Sequence, residues 1–358
     1  MNIRSVKRFV AIAMLASASI AAALPATAAQ TIKIRLAVDE DPIVPRLAQS
    51  LGYFRKEGIE IVPVKVEDFS HEDYLLQEPL IKGQIDAAYH WFHHAVFGAR
   101  HNLPVKAVMV VNDAPGMTIM VANRVKDQIR RAADFDGRSI AEGASYGTKS
   151  LITNYLARKA GLAPHSYTPV MVESEGRQQA VINGLKDGKV HVMTFQEPIT
   201  SALLATNLVT PLYELNSRQS TANMLGAPWP AQSILMAPAY IDAHPDAVQR
   251  LVNAFVRAMR YINTHTADEI IAALPASYFE GKDREAASKY IRNTLSTFAH
   301  GDYSFSPEAV RLVVDAIQTF DFDQTEEGRW RATAENPRIV PERLYTNRFV
   351  NAAMKAIP

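Results

Sequence analysis

Residues 88–98 read Ala-Tyr-His-Trp-Phe-His-His-Ala-Val-Phe-Gly, which sets three of the chain's ten histidines beside four aromatic rings. In a helix starting at His90, the imidazoles of His93 and His94 would share its face, three and four positions on. That spacing is able to ligate zinc, with His101 within reach of two further turns. A zinc site needs a third or fourth protein ligand, and spacing identifies none, so the stronger expectation for His93 and His94 is a helix surface or a buried, satisfied imidazole. Catalysis has less support. There is no Gly-x-Ser-x-Gly elbow, Walker loop or paired-histidine metalloprotease motif. The absence of cysteine removes thiol nucleophiles, thiolate metal sites and disulfides together. What remains is recognition: Tyr89, His90 and Trp91 fall just past a predicted strand end, where ring faces can wall a small or planar ligand. Phe92 and Phe97 are expected to face the core.

The elements around this stretch follow a repeating plan. Short β-rich runs alternate with helical patterns, predicting βαβ units and mostly parallel sheets. Strands are expected over 32–38, 59–66, 85–88 and 105–111, and helices over 45–52, up to Lys82, and through 88–98. The plan then restarts, with strands over 139–141 and 169–172 around a helix over 149–160 closed by Gly161. The run LIKGQIDAAYHWFHHAVFGARHNLPVKAV lies over LKDGKVHVMTFQEPITSALLATNLVTPL. Gly83 meets Gly188, Ile85 meets Val190, Tyr89 meets Thr194 and Trp91 meets Gln196, so two α/β lobes built on one plan are expected. A strand over 233–236 is expected to return to the first lobe. A helix follows, with Pro245 and Asp246 in its first turn and Val248, Leu251, Val252, Phe255, Met259 and Ile262 on one face. Further helices are expected over 284–298, from Ser306-Pro307-Glu308, and at the end of the tail, docked on the body.

Composition narrows the class. The chain has 358 residues, 48% hydrophobic and 21% charged, as expected of a globular protein with ample core for two domains. A formal net charge of +1 excludes a strong basic footprint for nucleic acid. Arg4, Lys7 and Arg8 precede an apolar run from Phe9 to Leu24, and Ala26 and Ala28 have the spacing of a cleavage site. Residues 1–29 are therefore expected to be a signal peptide, cut after Ala28 or Ala29. With no cysteine to carry a lipid anchor, the mature protein is expected free in the periplasm.

Several stretches resemble one family. SLGYFRKEGIEIVPV is similar to the early signature of the periplasmic substrate-binding proteins of the nitrate, sulfonate, taurine and thiamine-precursor group. PLIKGQIDAAY resembles that family's Gly-x-x-Asp-Ala step, and FDGRSIA its opening of the second lobe. VINGLKDGKVHVMTFQEP resembles the second such unit, although His191 stands where the pattern has Asp. The resemblance implies a type II periplasmic-binding-protein clamshell, α/β, each lobe a mostly parallel sheet flanked by helices, with extra C-terminal helices. Lobe 1 would comprise 30–118 and the return at 224–358, which also carries the C-terminal helices; lobe 2 would comprise 119–223. It implies a monomer that hands a small solute to the permease and ATPase subunits of an ATP-binding-cassette importer, with no catalysis and no cofactor. The alternatives are a periplasmic enzyme or zinc protein using His90, His93 and His94, or a ligand sensor for a signalling partner.

In such sheets ligands sit beyond the carboxyl ends of the strands. The expected binding set is Asp39, Tyr89, His90, Trp91, Ser145, Tyr146, Thr148, Glu173, Phe195, Glu197 and Trp229, the last from the return crossing. Ser145 and Thr148 are also natural helix caps, and Trp229 a natural packing residue under the hinge. Lys149 and Arg177 are the basic candidates for a sulfonate or carboxylate. The mouth also reads as acidic through Asp39, Asp41, Glu142, Glu173, Glu175 and Glu197, which would favour a ligand rich in hydrogen-bond donors.

Overall fold

Strand β1 (Ile32–Val38) buries Ile34 and Leu36 and pairs in parallel with β2 (Ile59–Lys65), across helices α1 (Ile43–Ser50) and α2 (Tyr53–Lys56). β2 is an edge strand, and this is why it tolerates Pro63, which has no N–H to give a neighbour. The computed structural model describes residues 31–38, 42–65, 76–143, 147–171, 177–319 and 339–357. The expected signal peptide lies outside them. No helix among the described residues is long and apolar enough to cross a membrane.

Helix α3 (Gln77–Ile81) leads through the left-handed Gly83 into β3 (Ala87–Trp91), then α4 (His93–Arg100) and β4 (Lys106–Val110). Here the structure corrects the sequence reading. The strand expected over 85–88 begins at Ala87 and runs on through Trp91, so His90 is a strand residue and the helix starts at His93. The reason lies at Asp86, whose carboxylate accepts the Arg35 backbone N–H at 2.7 Å and pairs with the Arg35 guanidinium. That clamp fixes the entry to the sheet two residues later than the apolar run suggests.

The chain then crosses to a second sheet through β5 (Met117–Ala122) and repeats the plan: β6 (Ser139–Glu142), α5 (Thr148–Lys159), β7 (Thr168–Met171), α6 (Arg177–Asp187), β8 (Val192–Gln196), α7 (Ile199–Leu204), β9 (Val209–Leu215) and α8 (Arg218–Leu225). It returns through β10 (Gln232–Met236). The two sheets have the orders β2-β1-β3-β10-β4 and β7-β6-β8-β5-β9. In each, the strand that crosses over inserts antiparallel between the third and fourth strands of the lobe. The matched glycines Gly83 and Gly188 both adopt positive φ, at 66° and 81°, ahead of the matched strands. β8 starts late by the same two residues as β3. Edge strand β7 carries Pro169 where β2 carries Pro63.

His191, the departure from the family pattern, has a physical equivalent. Its Nδ1 accepts the Ser139 backbone N–H at 3.0 Å, the bond that Asp86 makes to Arg35 in the first lobe. An imidazole replaces a carboxylate and keeps the acceptor. Beyond β10 come α9 (Pro238–Ala243), α10 (Pro245–Thr264), α11 (Ala267–Ala273), α12 (Arg284–Thr294), α13 (Pro307–Thr319) and α14 (Arg348–Ala356). The whole expected apolar face of α10 is buried, and α14 docks on that helix, bonded through Gln249 to the Phe349 carbonyl. One apolar cluster runs from β1 through Phe255 of α10 to Leu151 and Ile152 of α5, so the two lobes share a core.

A third tie joins the lobes at the end of the helix expected over 284–298, where α12 passes after Thr294 into a 3-10 turn, Leu295–Thr297. Asn293 donates to Glu197 and Ser201 at 3.0 and 3.1 Å, and the Ser296 hydroxyl donates to the Asn216 carbonyl at 2.7 Å. Thr297 accepts from Asn112 at 2.8 Å beside the first crossing. These partners accompany the tightening of the last turn from α to 3-10.

Candidate functional site

The carboxyl end of β3 and the start of α5 come together at the join of the lobes. Strand alternation sends Tyr89 and His90 to opposite faces. Tyr89 is buried; its hydroxyl donates to Gln232 at 2.9 Å and its ring leans on Phe255 at 6.3 Å. His90 is buried and stacks on His94, with ring centroids 4.0 Å apart. Trp91 is half-buried, its ring 6.3 Å from that of His93. Phe92 and Phe97 are fully buried.

His93 makes the link to the other lobe. Its Nδ1 is hydrogen-bonded to Thr148 Oγ1 at 3.2 Å, and both side chains are buried. Burial first, then the nearby His90 and Lys149, lowers the His93 imidazole to about 3. Burial with the other two histidines holds His94 well below its ordinary 6.5. Both are neutral bases at physiological pH, and neither sits on a helix surface. Among the described residues no group of three His, Asp or Glu is arranged to hold a metal ion.

Thr148 is the first helical residue of α5 rather than its cap. The cap position is Gly147, with extended backbone and no side-chain hydrogen bond. Gly147 itself offers the first-turn N–H groups no side-chain acceptor at the positive end of a twelve-residue helix. Lys149 folds back over Gly143: a methyl group there would lie 2.7 Å from Lys149 Cε and 3.4 Å from Nζ. Glycine at 143 makes room for the ammonium beside the helix start.

Glu142, at the end of β6, does not add charge to the mouth. It is 2% exposed and bonded to Thr153, whose hydroxyl lies 2.8 Å from that of Thr194, and its Oε2 has no hydrogen-bond partner. Burial pushes its carboxyl up to about 8, with the Thr153 bond opposing. It is protonated at neutral pH. Glu197 is half-buried and occupied with Ser201 and Asn293. The acidic mouth expected from sequence is therefore weakened at both of these residues.

Phe195 is buried in the core of the second lobe with Met193 and Leu203. Trp229 is fully buried at the return crossing, where its backbone N–H donates to the Asp113 carbonyl at 3.1 Å. Asp113 pairs with Arg218 at 2.8 Å beside it; burial raises the Asp113 carboxyl while Arg218 opposes the rise. Asp39, Asp41, Ser145, Tyr146, Glu173 and Glu175 lie outside the described residues. Sequence reasoning missed the His93–Thr148 link and the Asn293 strap, because both join residues far apart in the chain. The one available signal for the former was the position of both residues at predicted strand-to-helix turns in the duplicated plan.

Two lobes of one plan, each built on a mostly parallel sheet and joined by crossing strands, define the periplasmic-binding-protein fold. The chain belongs to the NMT1/THI5-like family, whose model matches residues 46–268. A search of curated proteins gave no match. Among solved structures, a protein from Bordetella bronchiseptica RB50 is 20% identical, covers 91% of this chain and 98% of its own, and has a TM-score of 0.68. The alkanesulfonate-binding protein SsuA from Xanthomonas axonopodis pv. citri, bound to MOPS, is 17% identical over 82% of this chain and 93% of its own, TM-score 0.58. The periplasmic nitrate-binding protein NrtA from Synechocystis PCC 6803 is 14% identical over 92% and 89%, TM-score 0.62. The desulfurization enzyme DSZB is also similar, 13% identical over 91% and 100%, TM-score 0.58. At these identities the likeness is one of fold.

Proposed function

We propose that the protein is the periplasmic solute-binding component of an ATP-binding-cassette importer. It captures a small organic sulfur- or nitrogen-containing compound between its lobes and delivers it to the membrane permease. The observation that carries this reading is the start of α5, a helix end with glycine at its cap position and the Lys149 ammonium folded over Gly143, set against His93 of the other lobe. Helix N-H groups and an ammonium together suit one anionic headgroup, a sulfonate or a carboxylate. The neutral state of Glu142 removes one of the six acidic side chains expected at the mouth. Family membership and the sulfonate- and nitrate-binding proteins that share the fold support the same class.

A thermal-shift screen with aliphatic sulfonates, taurine, aromatic acids and aminopyrimidines tests the reading. One class is expected to stabilise the protein and to be recovered unchanged. Lys149→Ala is expected to weaken an anionic solute by about 10- to 100-fold, the worth of one charged hydrogen bond. An effect on aminopyrimidines alone, insensitive to Lys149, contradicts the anion assignment. Elemental analysis tests the zinc alternative: stoichiometric zinc lost on replacing His90 and His93 would establish it.

A further inference from the structure

Three imidazoles meet where the lobes join. His90 stacks on His94 at 4.0 Å, His93 lies 4.2 Å from His94, and His93 reaches Thr148 of the second lobe at 3.2 Å. They are 2%, 6% and 3% exposed for His90, His94 and His93 in turn. The charges acting on His93 and His94 are all of the wrong sign for a proton. His93 faces His90 and Lys149; His94 faces His90 and His93. On their own helix, Arg100 and His101 follow at its far end, where the His101 ring bonds the Phe97 carbonyl. From α3, the uncharged Gln77 amide donates to the His94 carbonyl, while Glu78 pairs with Lys82 at the surface. From α13, Glu308, Arg311 and Asp315 are all exposed. No described carboxylate acts on either imidazole.

We propose that the join is a proton latch: the lobes stay shut while His93 and His94 are neutral, and protonation parts them at the His93–Thr148 contact. This rests on the solute-receptor reading only in its consequence, release of captured solute in acid. With the lobes apart, solvated imidazoles titrate near their ordinary 6.5; with the lobes shut, His93 titrates at about 3 and His94 is also strongly lowered. The parted state thus binds more protons below about pH 6.5, and the balance moves towards it as pH falls. At about pH 5 His93 favours the parted state by about 30-fold, and His94 acts in the same direction. Above about pH 6.5 the latch is fully engaged.

Small-angle scattering of the purified protein, without solute, between about pH 7.5 and about pH 5, with far-UV circular dichroism on the same samples, tests the latch. The radius of gyration is expected to rise reversibly as pH falls below about 6.5, with the dichroism unchanged. The double substitution His93→Asn and His94→Asn, polar but uncharged, is expected to flatten that transition. A folded double variant that still expands overturns the latch. Should the variant not fold, the wild-type titration decides alone: no expansion, or expansion accompanied by loss of dichroism, overturns it. Because no solute is present, failure of the solute screen leaves this result intact, and the two ideas fail separately.

Discussion

Glu142 shows how far a residue's chemistry depends on what covers it. Read in the sequence it is an acid at a binding mouth; in the structure it is a buried neutral carboxyl bonded to Thr153. Its folded value of about 8 lies above the ordinary 4.5, so the unfolded chain loses the proton first. The stability cost of Glu142 is absent below about pH 4.5, grows as pH rises, and is complete above about pH 8. Glu142→Gln keeps a partner for Thr153 without the ionisation. Urea unfolding is expected to find the variant more stable at neutral pH, by on the order of 3 kcal/mol, with the gain vanishing towards about pH 4.5. His191 titrates with the opposite slope. Burial, then Arg124 and Arg138, lowers its imidazole, so its bond to Ser139 contributes fully above the ordinary 6.5 and is lost as pH falls below it. His191→Ala is expected to cost about 1 kcal/mol at neutral pH, and His191→Asp to restore most of it. Equal melting temperatures for the histidine and alanine forms at pH 7.5 would remove that bond from the account.

At the scale of elements, periodicity carried most of the information. The face of α10 was legible because an amphipathic stripe survives at 3.6 residues per turn. Phe255 on that face packs edge-on to Phe54 at 5.7 Å and against Tyr89. Phe255→Ala is expected to cost about 3–5 kcal/mol, with the loss read in urea denaturation. The duplicated run was legible because each copy needs a left-handed turn, at Gly83 and Gly188, before a buried strand. Strand starts were not, because Asp86 and His191 set them through side-chain bonds to a neighbouring strand that hydrophobicity does not record. The change from α to 3-10 after Thr294 was hidden for the same reason: Asn293, Ser296 and Thr297 have partners in other parts of the chain.

At the scale of the whole molecule, sequence order was enough for two lobes of one plan and for a strand that returns to the first. It was not enough for the side-chain contact between the lobes. Tyr89, His90 and Trp91 were expected at the cleft, yet Tyr89 is committed to Gln232 and Phe255, and it is His93 that reaches across. Which residue of a strand-to-helix turn faces the partner lobe depends on where the strand stops, and that was the boundary the sequence hid. The strap from Asn293 to Thr297 also bears on motion between the lobes. Asn293→Ala removes two exposed bonds and is expected to speed amide exchange around Glu197 and Ser201 while changing global stability by less than about 1 kcal/mol. Unchanged exchange there would mean that the strap does not restrain the second lobe. The central claim, a receptor that takes up a solute between its lobes and leaves it intact, is tested most directly by titration calorimetry with chemical recovery of the titrant. One-to-one saturation by a small sulfonate or carboxylate, recovered unaltered, is the result expected. Recovery of a chemically changed compound, or no saturable heat from any anionic or pyrimidine solute, would contradict it.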